Sequence, residues 1–446
     1  MKKNENIHLI IKNYGCNAEG VGNANGEIIF VPYALVDEKI DGTIIKANKN
    51  FAIAKILNIS NPSKDRIVAP CPYFSKCGGC QLQHTNYENS LKIKTGIVQN
   101  AITNIGKIDF QVSNTIPSKL EYHYRNKISM PINPKTRKLG MYRLSSHNII
   151  DTDDCLLQKN LISSLIKIFN HYLSKTKCTI YDDATKKGLI KSLVAREIED
   201  KILVTVVING DDLKDKDMLI ELLKQNFKSF GLSLNINKLK NNVILSEDFV
   251  DVYGENQVEV IENGIKYNIS NRSFLQVNDD VKQKMYQKIF DEIENETVID
   301  AYSGAGLLSA MMSKHAKMVY GIEIVYEATK LADNIKKINL IQNLKNINGD
   351  CSIELPKLLS KLKDEEKNNL TIVIDPPRKG CDRKVIEAIA NVEPKKIIYM
   401  SCDPSTLARD LNILLAIKKY NIKSIEPFDM FPQTKHVETL AILTKE

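Results

Sequence analysis

The stretch Val298-Ile299-Asp300-Ala301-Tyr302-Ser303-Gly304-Ala305-Gly306-Leu307 decides how the C-terminal part of the chain folds. It opens as an apolar strand and closes on two glycines before a helical run. That is the form of a strand-to-helix turn whose backbone lies close to a ligand. Outward from it, Thr297–Ala301, Met318–Glu323, Leu370–Ile374 and Lys396–Ser401 read as short apolar strands. Helical stretches at Leu307–Ser313, Ala328–Asn339, Val385–Asn391 and Ser405–Leu415 alternate with them. This alternation predicts an α/β fold, a parallel sheet with helices on both faces. Such sheets take ligands beyond the C-terminal ends of their strands.

Upstream the pattern changes twice. Ile7–Ile11, Glu27–Val31, Thr43–Ala47 and Phe51–Ile59 are β-rich runs at close spacing, punctuated by Gly15, Gly20, Gly22, Gly26 and Gly42, which predicts a small β-barrel over residues 1–60. Residues 61–265 read as a mixed α+β domain holding a cysteine cluster, with a helical stretch at about 85–104 expected to pack on the C-terminal domain, residues 266–446.

With 446 residues, 43% hydrophobic and 26% charged, the chain has apolar mass for real cores, which excludes disordered and collagen-like classes. Its formal charge of +8 permits a polyanionic partner. No window approaches the ~18–20 apolar residues of a membrane helix, and the stretch at Leu9-Ile10-Ile11 is too short for a secretory signal. We therefore expect a cytosolic protein whose nine cysteines are thiols, metal ligands or a nucleophile rather than disulfides.

The turn at Gly304 and Gly306 is G-x-G, not the G-x-G-x-x-G of a dinucleotide site, and no Gly-Lys-Ser/Thr follows to make a P-loop. Alone it equally marks an ordinary tight turn. Glu323, however, ends the next strand, where a carboxylate accepts both hydroxyls of a ribose. Asp350, after the third strand candidate, is placed to meet an adenine amino group. A glycine turn and two such acids fit a nucleoside ligand lacking phosphates, of which S-adenosylmethionine (SAM) is one.

Asp375-Pro376-Pro377-Arg378 follows the fourth strand, and its prolines stop the ladder and present Asp375 rigidly at the same edge. Cys402, in Met400-Ser401-Cys402-Asp403-Pro404, ends the fifth strand just before a helix, whose N-terminus is expected to lower the thiol's pKa. Cys16, Cys178, Cys351 and Cys381 read as buried or incidental thiols. A thiolate beside a methyl donor has a specific use. Uracil C5 is a poor nucleophile, and addition of sulfur at C6 makes an enolate with electron density at C5. A base must then remove the C5 proton. Glu438, in His436-Val437-Glu438-Thr439, opens the last strand at the same edge and is the candidate.

Cys71-Pro72-Tyr73-Phe74-Ser75-Lys76-Cys77-Gly78-Gly79-Cys80 forms C-x5-C-x2-C, with Cys155 as the expected fourth ligand. Four ligands suit an iron–sulfur cluster or structural zinc, and spacing does not choose between them. The C-x3-C-x2-C of radical SAM enzymes is absent.

Together these motifs resemble the RNA 5-methyluridine methyltransferases, the TrmA/RumA family, over nearly the whole chain. The DPPRKG, SCDP and HVET segments are highly specific in combination. The resemblance implies a Rossmann-like SAM-dependent methyltransferase domain, an N-terminal OB-like barrel of the TRAM type and a central Fe–S domain. It implies a [4Fe–4S] cluster on Cys71, Cys77, Cys80 and Cys155, as in the RumA-like branch that methylates 23S ribosomal RNA. It implies SAM contacts at Gln276, Tyr302, Glu323 and Asp375, Cys402 as nucleophile and Glu438 as proton acceptor. Leu307 departs from the polar residue often found after the second glycine, which leaves one cofactor hydrogen bond unaccounted for. Tyr122-His123-Tyr124-Arg125-Asn126-Lys127 resembles a family segment near the RNA.

We expect, then, a monomeric cytoplasmic enzyme acting on 23S rRNA, with no membrane partner. The same chemistry on tRNA is the first rival. A non-catalytic RNA-binding or ribosome-assembly factor that kept the fold is the rival of a different class.

Overall fold

The computed structural model describes residues 1–144, 146–273 and 275–446. Contacts divide the chain into two compact units. One comprises residues 1–70, 81–119 and 280–446, the other residues 71–80 and 120–279. The division is not linear: the barrel and the helical stretch beyond it belong to the unit that carries the C-terminal sheet.

The first unit begins with a closed barrel of β1 (Asn6–Tyr14), β2 (Gly20–Ala24), β3 (Glu27–Val31), β4 (Lys39–Ala47) and β5 (Phe51–Asn61), in the order β1-β2-β3-β5-β4. β1 pairs back onto β4, and β3 and β5 run parallel. β1 alternates exposed and buried positions along Asn6–Ile11, which sends Ile7, Leu9 and Ile11 into the interior. α1 (Tyr87–Asn100) follows, its N-terminus capped by Asn86, whose side chain accepts from Asn89 N–H at 2.8 Å. It runs directly into a π-helical turn, Ala101–Ile105.

In the second unit, β6 (Lys127–Asn133), β7 (Lys138–Tyr142), β8 (Ile149–Asp151), β9 (Ile190–Ile198), β10 (Lys201–Ile208), β11 (Phe230–Ile236) and β12 (Phe249–Tyr253) form one sheet in the order β12-β11-β10-β9-β6-β7-β8. α2 (Asn160–Lys175) and α3 (Lys216–Asn226) pack Leu165, Phe169, Leu219 and Leu223 into its core. The Lys-rich run around 214–228 is thus an amphipathic core helix. A hairpin of β13 (Gln257–Glu262) and β14 (Ile265–Ser270) completes the unit.

The first unit resumes with α4 (Asp279–Phe290) and then the predicted alternation: β15 (Thr297–Ala301), α5 (Leu307–Met312), β16 (Met318–Glu323), α6 (Tyr326–Ile338), β17 (Leu344–Asn348), α7 (Cys351–Lys361), α8 (Asp364–Asn368), β18 (Leu370–Ile374), α9 (Arg383–Val392), β19 (Lys396–Ser401), α10 (Pro404–Ile417), β20 (Tyr420–Phe428) and β21 (Glu438–Lys445). The sheet order is β17-β16-β15-β18-β19-β21-β20. β15 to β19 are parallel, and β21 is antiparallel to both its neighbours. β15, β18 and β19 are buried along their whole length, as strands covered on both faces must be. The chain reverses its direction of sheet growth between β15 and β18, which opens a crevice at their C-terminal ends. Among the described residues no helix is long and apolar enough to cross a membrane.

Candidate active site

Tyr302 leaves β15 with φ +70, and Gly304 and Gly306 continue the turn with φ +54 and +74. A Cβ on Gly306 would lie 2.4 Å from the Ala332 Cβ on α6, so only glycine lets α5 and α6 approach here. A Cβ on Gly304 would meet nothing within 4 Å, so the turn opens onto free space. Glu323, at the end of β16, accepts from Gly304 N–H at 2.9 Å through one oxygen and from Val325 N–H at 2.7 Å through the other. A carboxylate has about four acceptor directions. Two remain, one on each oxygen, for the vicinal hydroxyls of a ribose. On this structure the crevice residues fit SAM.

Asp350 follows β17 and caps α7, accepting from Ser352 N–H at 2.8 Å. That bond holds its carboxyl below the ordinary range. Asp375 follows β18, and its N–H donates to Ala301 O of β15 at 3.3 Å, across the switch point. Desolvation pushes its carboxyl up to about 7. Gln276 belongs to the other unit, where its carbonyl accepts from Asn126 Nδ2 at 3.2 Å. The sequence reading passed over Asp300, the buried acid inside the opening motif. It accepts from Ser309 Oγ, and burial raises its pKa to about 7, with Asp375 and Glu323 adding to the rise.

β19 and β21 carry the other half of the site. Their antiparallel register runs to Ser401 opposite Thr439; Cys402 and Glu438 lie one step beyond that pair, and the Glu438 charge acts on the Cys402 thiol. Glu438 is 5% exposed. Burial and the Asp375 charge push its carboxyl up to about 8, against the opposing pull of Arg378. The Cys402 thiol is pushed up to about 11, by burial first and then by Glu438, while Arg378 again pulls the other way. This corrects the expectation of a lowered pKa. The first turn of α10 is already occupied, because Asp403 accepts from Ser405 N–H at 2.8 Å and Thr406 N–H at 3.3 Å. The helix N-terminus therefore serves Asp403, and the thiol faces carboxylates.

A cavity of about 450 Å³ opens beside Cys402. Arg378 and Lys435 line it with Cys402, and the β1–β2 loop of the barrel brings Cys16 and Asn17 to its wall. Lys435 Nζ donates to Asn17 Oδ1, tying that loop to the segment that leads into Glu438. Nothing in the local sequence of β1 signals this placement. Cys16, read as incidental, is exposed and shares the cavity with the nucleophile candidate, whereas Cys178, Cys351 and Cys381 are buried. Burial holds Cys351 and Cys381 at about 12, which makes them inert.

Cys71, Cys77, Cys80 and Cys155 all lie in the second unit. Burial raises the pKa of Cys155, and Cys77 and Cys71 add to that rise. Gly79 N–H donates to Cys77 Sγ at 3.3 Å. Four cysteine thiols are the donor chemistry of a cluster. Among the described residues, however, no three His, Cys, Asp or Glu side chains stand where they could hold one metal ion. In the segment Tyr122–Lys127, Tyr124 and Asn126 are buried and only His123 is exposed. Lys127 Nζ donates to Asn271 O at 2.9 Å.

A family model described as tRNA (Uracil-5-)-methyltransferase matches residues 86–446. A protein of Clostridium tetani (strain Massachusetts / E88) named an uncharacterized RNA methyltransferase is 36% identical, the match covering 100% of this chain and 97% of that protein. One of the same description from Listeria innocua is also 36% identical, over 100% and 98%. The crystal structure of Pyrococcus abyssi tRNA (uracil-54, C5)-methyltransferase in complex with S-adenosyl-L-homocysteine superposes with a TM-score of 0.79. That match covers 98% of this chain and 100% of that one at 23% identity, which is a shared fold.

Proposed function

The chain belongs to the family of SAM-dependent RNA (uracil-5-)-methyltransferases, and from that membership we propose that it methylates C5 of a uridine in 23S ribosomal RNA with Cys402 as nucleophile and Glu438 as base. The observation that carries the proposal is the β19–β21 register. It ends one step short of a thiol and a buried carboxyl whose charge acts on that thiol, and a cavity of about 450 Å³ opens at the thiol.

The target base leaves its stack to reach the cavity. Cys402 gives up its proton to solvent, which leaves Glu438 ionised, and its sulfur bonds to C6 while the C5–C6 electron pair moves toward C5 as an enolate. The Gly304–Gly306 turn, Glu323 and Asp375 would hold SAM, whose sulfonium would give its methyl group to C5 and leave as the neutral thioether S-adenosylhomocysteine. Glu438 then takes the C5 proton, the C5–C6 double bond re-forms, and the sulfur is expelled. A base with a pKa of about 8 is well matched to that proton transfer. Arg378 favours the charged forms of both groups.

The TRAM-type barrel holds surrounding RNA, and the four cysteines carry a structural [4Fe–4S] cluster. The cluster assignment rests on donor chemistry and takes no part in the steps above. Its own test is iron and acid-labile sulfide content after anaerobic purification. About four irons per chain are expected, and zinc or no metal overturns it. The barrel does not choose the RNA, because the Pyrococcus abyssi tRNA enzyme matches this chain over 98% of its length. The tRNA reading therefore stands second. The deciding experiment incubates labelled SAM with 23S rRNA and tRNA transcripts in parallel and maps 5-methyluridine. Label in ribosomal RNA supports the proposal, label in tRNA alone transfers it, and label in neither rejects it. RNA carrying 5-fluorouridine should become covalently joined to the enzyme, and clean separation under denaturing conditions rejects the Cys402 adduct.

A further inference from the structure

The cavity beside Cys402 has more room than one pyrimidine needs: about 450 Å³ falls in the ~300–1,000 Å³ range that houses a drug-sized ligand. Part of its lining is the end of α1 and the π-helical turn after it. Ile97, Asn100, Asn104 and Ile105 face the space. The two asparagines are four residues apart on an exposed face. Asn100 makes no capping bond to the turn it precedes. Ile105 is 48% exposed, an apolar surface left beside the amides. π-Helical turns are rare and cluster at functional sites. This one is also fixed relative to the nucleophile: Asn412 Nδ2 of α10, the helix that starts just after Cys402, donates to Gly106 O at 2.7 Å.

Apolar surface for a base's face and amides for its edge are what recognition of an unpaired base requires. Building on the uridine methylation proposed above, we propose that this wall is a second base subsite, which takes an unpaired adenine next to the target uridine and reads its edge with Asn100 and Asn104. A carboxamide offers a donor beside an acceptor, the complement of adenine's amino group beside a ring nitrogen. Target and neighbour then enter one cavity together. The subsite selects which uridine is presented to Cys402.

The test uses RNA stem-loops carrying the mapped target uridine, with each of the four bases in turn at the two flanking positions. Methylation of the parent stem-loop by the wild-type enzyme checks the underlying activity independently. Wild type should favour adenine at one flank by about 10-fold in kcat/KM. Asn100→Ala and Asn104→Ala should reduce that preference to within about twofold, mainly through KM, at unchanged melting temperature. The proposal is overturned if wild type ignores the flanking base or prefers another one. It is equally overturned if both variants keep the adenine preference while the parent stem-loop is methylated normally.

Discussion

Glu438 and Cys402 lie one step beyond the Ser401–Thr439 pair of β19 and β21, and the Glu438 carboxylate, after burial itself, holds the thiol up to about 11. The Glu438 charge therefore restrains ionisation of the Cys402 thiol. At pH 9 most Glu438 carboxyls are ionised, given a pKa of about 8. Removing that charge should lower the pKa of Cys402. Glu438→Gln is expected to be alkylated at Cys402 by iodoacetamide about threefold or more faster than wild type at pH 9, a shift of roughly half a pH unit. Peptide mapping locates the label. Slower alkylation would reverse the sign of the coupling.

The same variant should lose turnover while its covalent intermediate persists. With no carboxylate to take the C5 proton, the sulfur is not expelled, and an RNA–protein adduct should survive denaturing gels. Cys402→Ala should form no adduct and methylate at least ~1,000-fold more slowly, yet bind SAM with wild-type affinity in calorimetry. Near-normal turnover by Cys402→Ala would falsify the mechanism.

Turnover at saturating RNA should rise with pH. Glu438 must be ionised to act as base, and with a pKa of about 8 its ionised fraction grows roughly 50-fold between pH 6 and pH 8. A flat profile over that interval in kcat removes Glu438 from the base's role.

Stability should move the opposite way. A carboxyl whose folded pKa is raised contributes fully below its unfolded pKa and loses that contribution as pH climbs through the folded value, here from about 4.5 to about 8. Glu438→Gln removes the group, so its melting temperature relative to wild type should increase by about 2–4 °C or more between pH 5 and pH 9. An unchanged difference between the two pH values contradicts the raised pKa.

Lys94 and Asp429 form an ion pair with neither side chain exposed, at 2.5 Å, and Tyr87 OH adds a bond to Asp429 at 2.8 Å. The pair pins α1 to the start of the loop that delivers Glu438. Lys94→Met leaves a buried charge uncompensated and should cost about 3–5 kcal/mol in urea denaturation. Lys94→Met with Asp429→Leu should recover most of it. A loss under about 1 kcal/mol for the single variant would show that the pair is not the anchor it looks to be.

Much of the site is legible as sequence because it is local. The opening motif at 298–307 announces its strand and its turn. The acids at Glu323 and Asp375 follow strands recognisable by their apolar runs, and Asp350 sits at a strand exit whose helix it turns out to cap. What the sequence by itself determined is this order of strands, turns and reactive residues, since hydrophobic periodicity and turn chemistry are properties of a few neighbouring positions. The ionisation of Cys402 was decided only by tertiary structure, because desolvation and the charges of Asp375, Arg378 and Glu438 come from segments far apart in the chain. So was the cavity wall, where a barrel loop at Cys16 and Asn17 meets the end of α1 at Asn100. Electrostatic energy and cavity shape depend on distances in space, and no local window of sequence contains them.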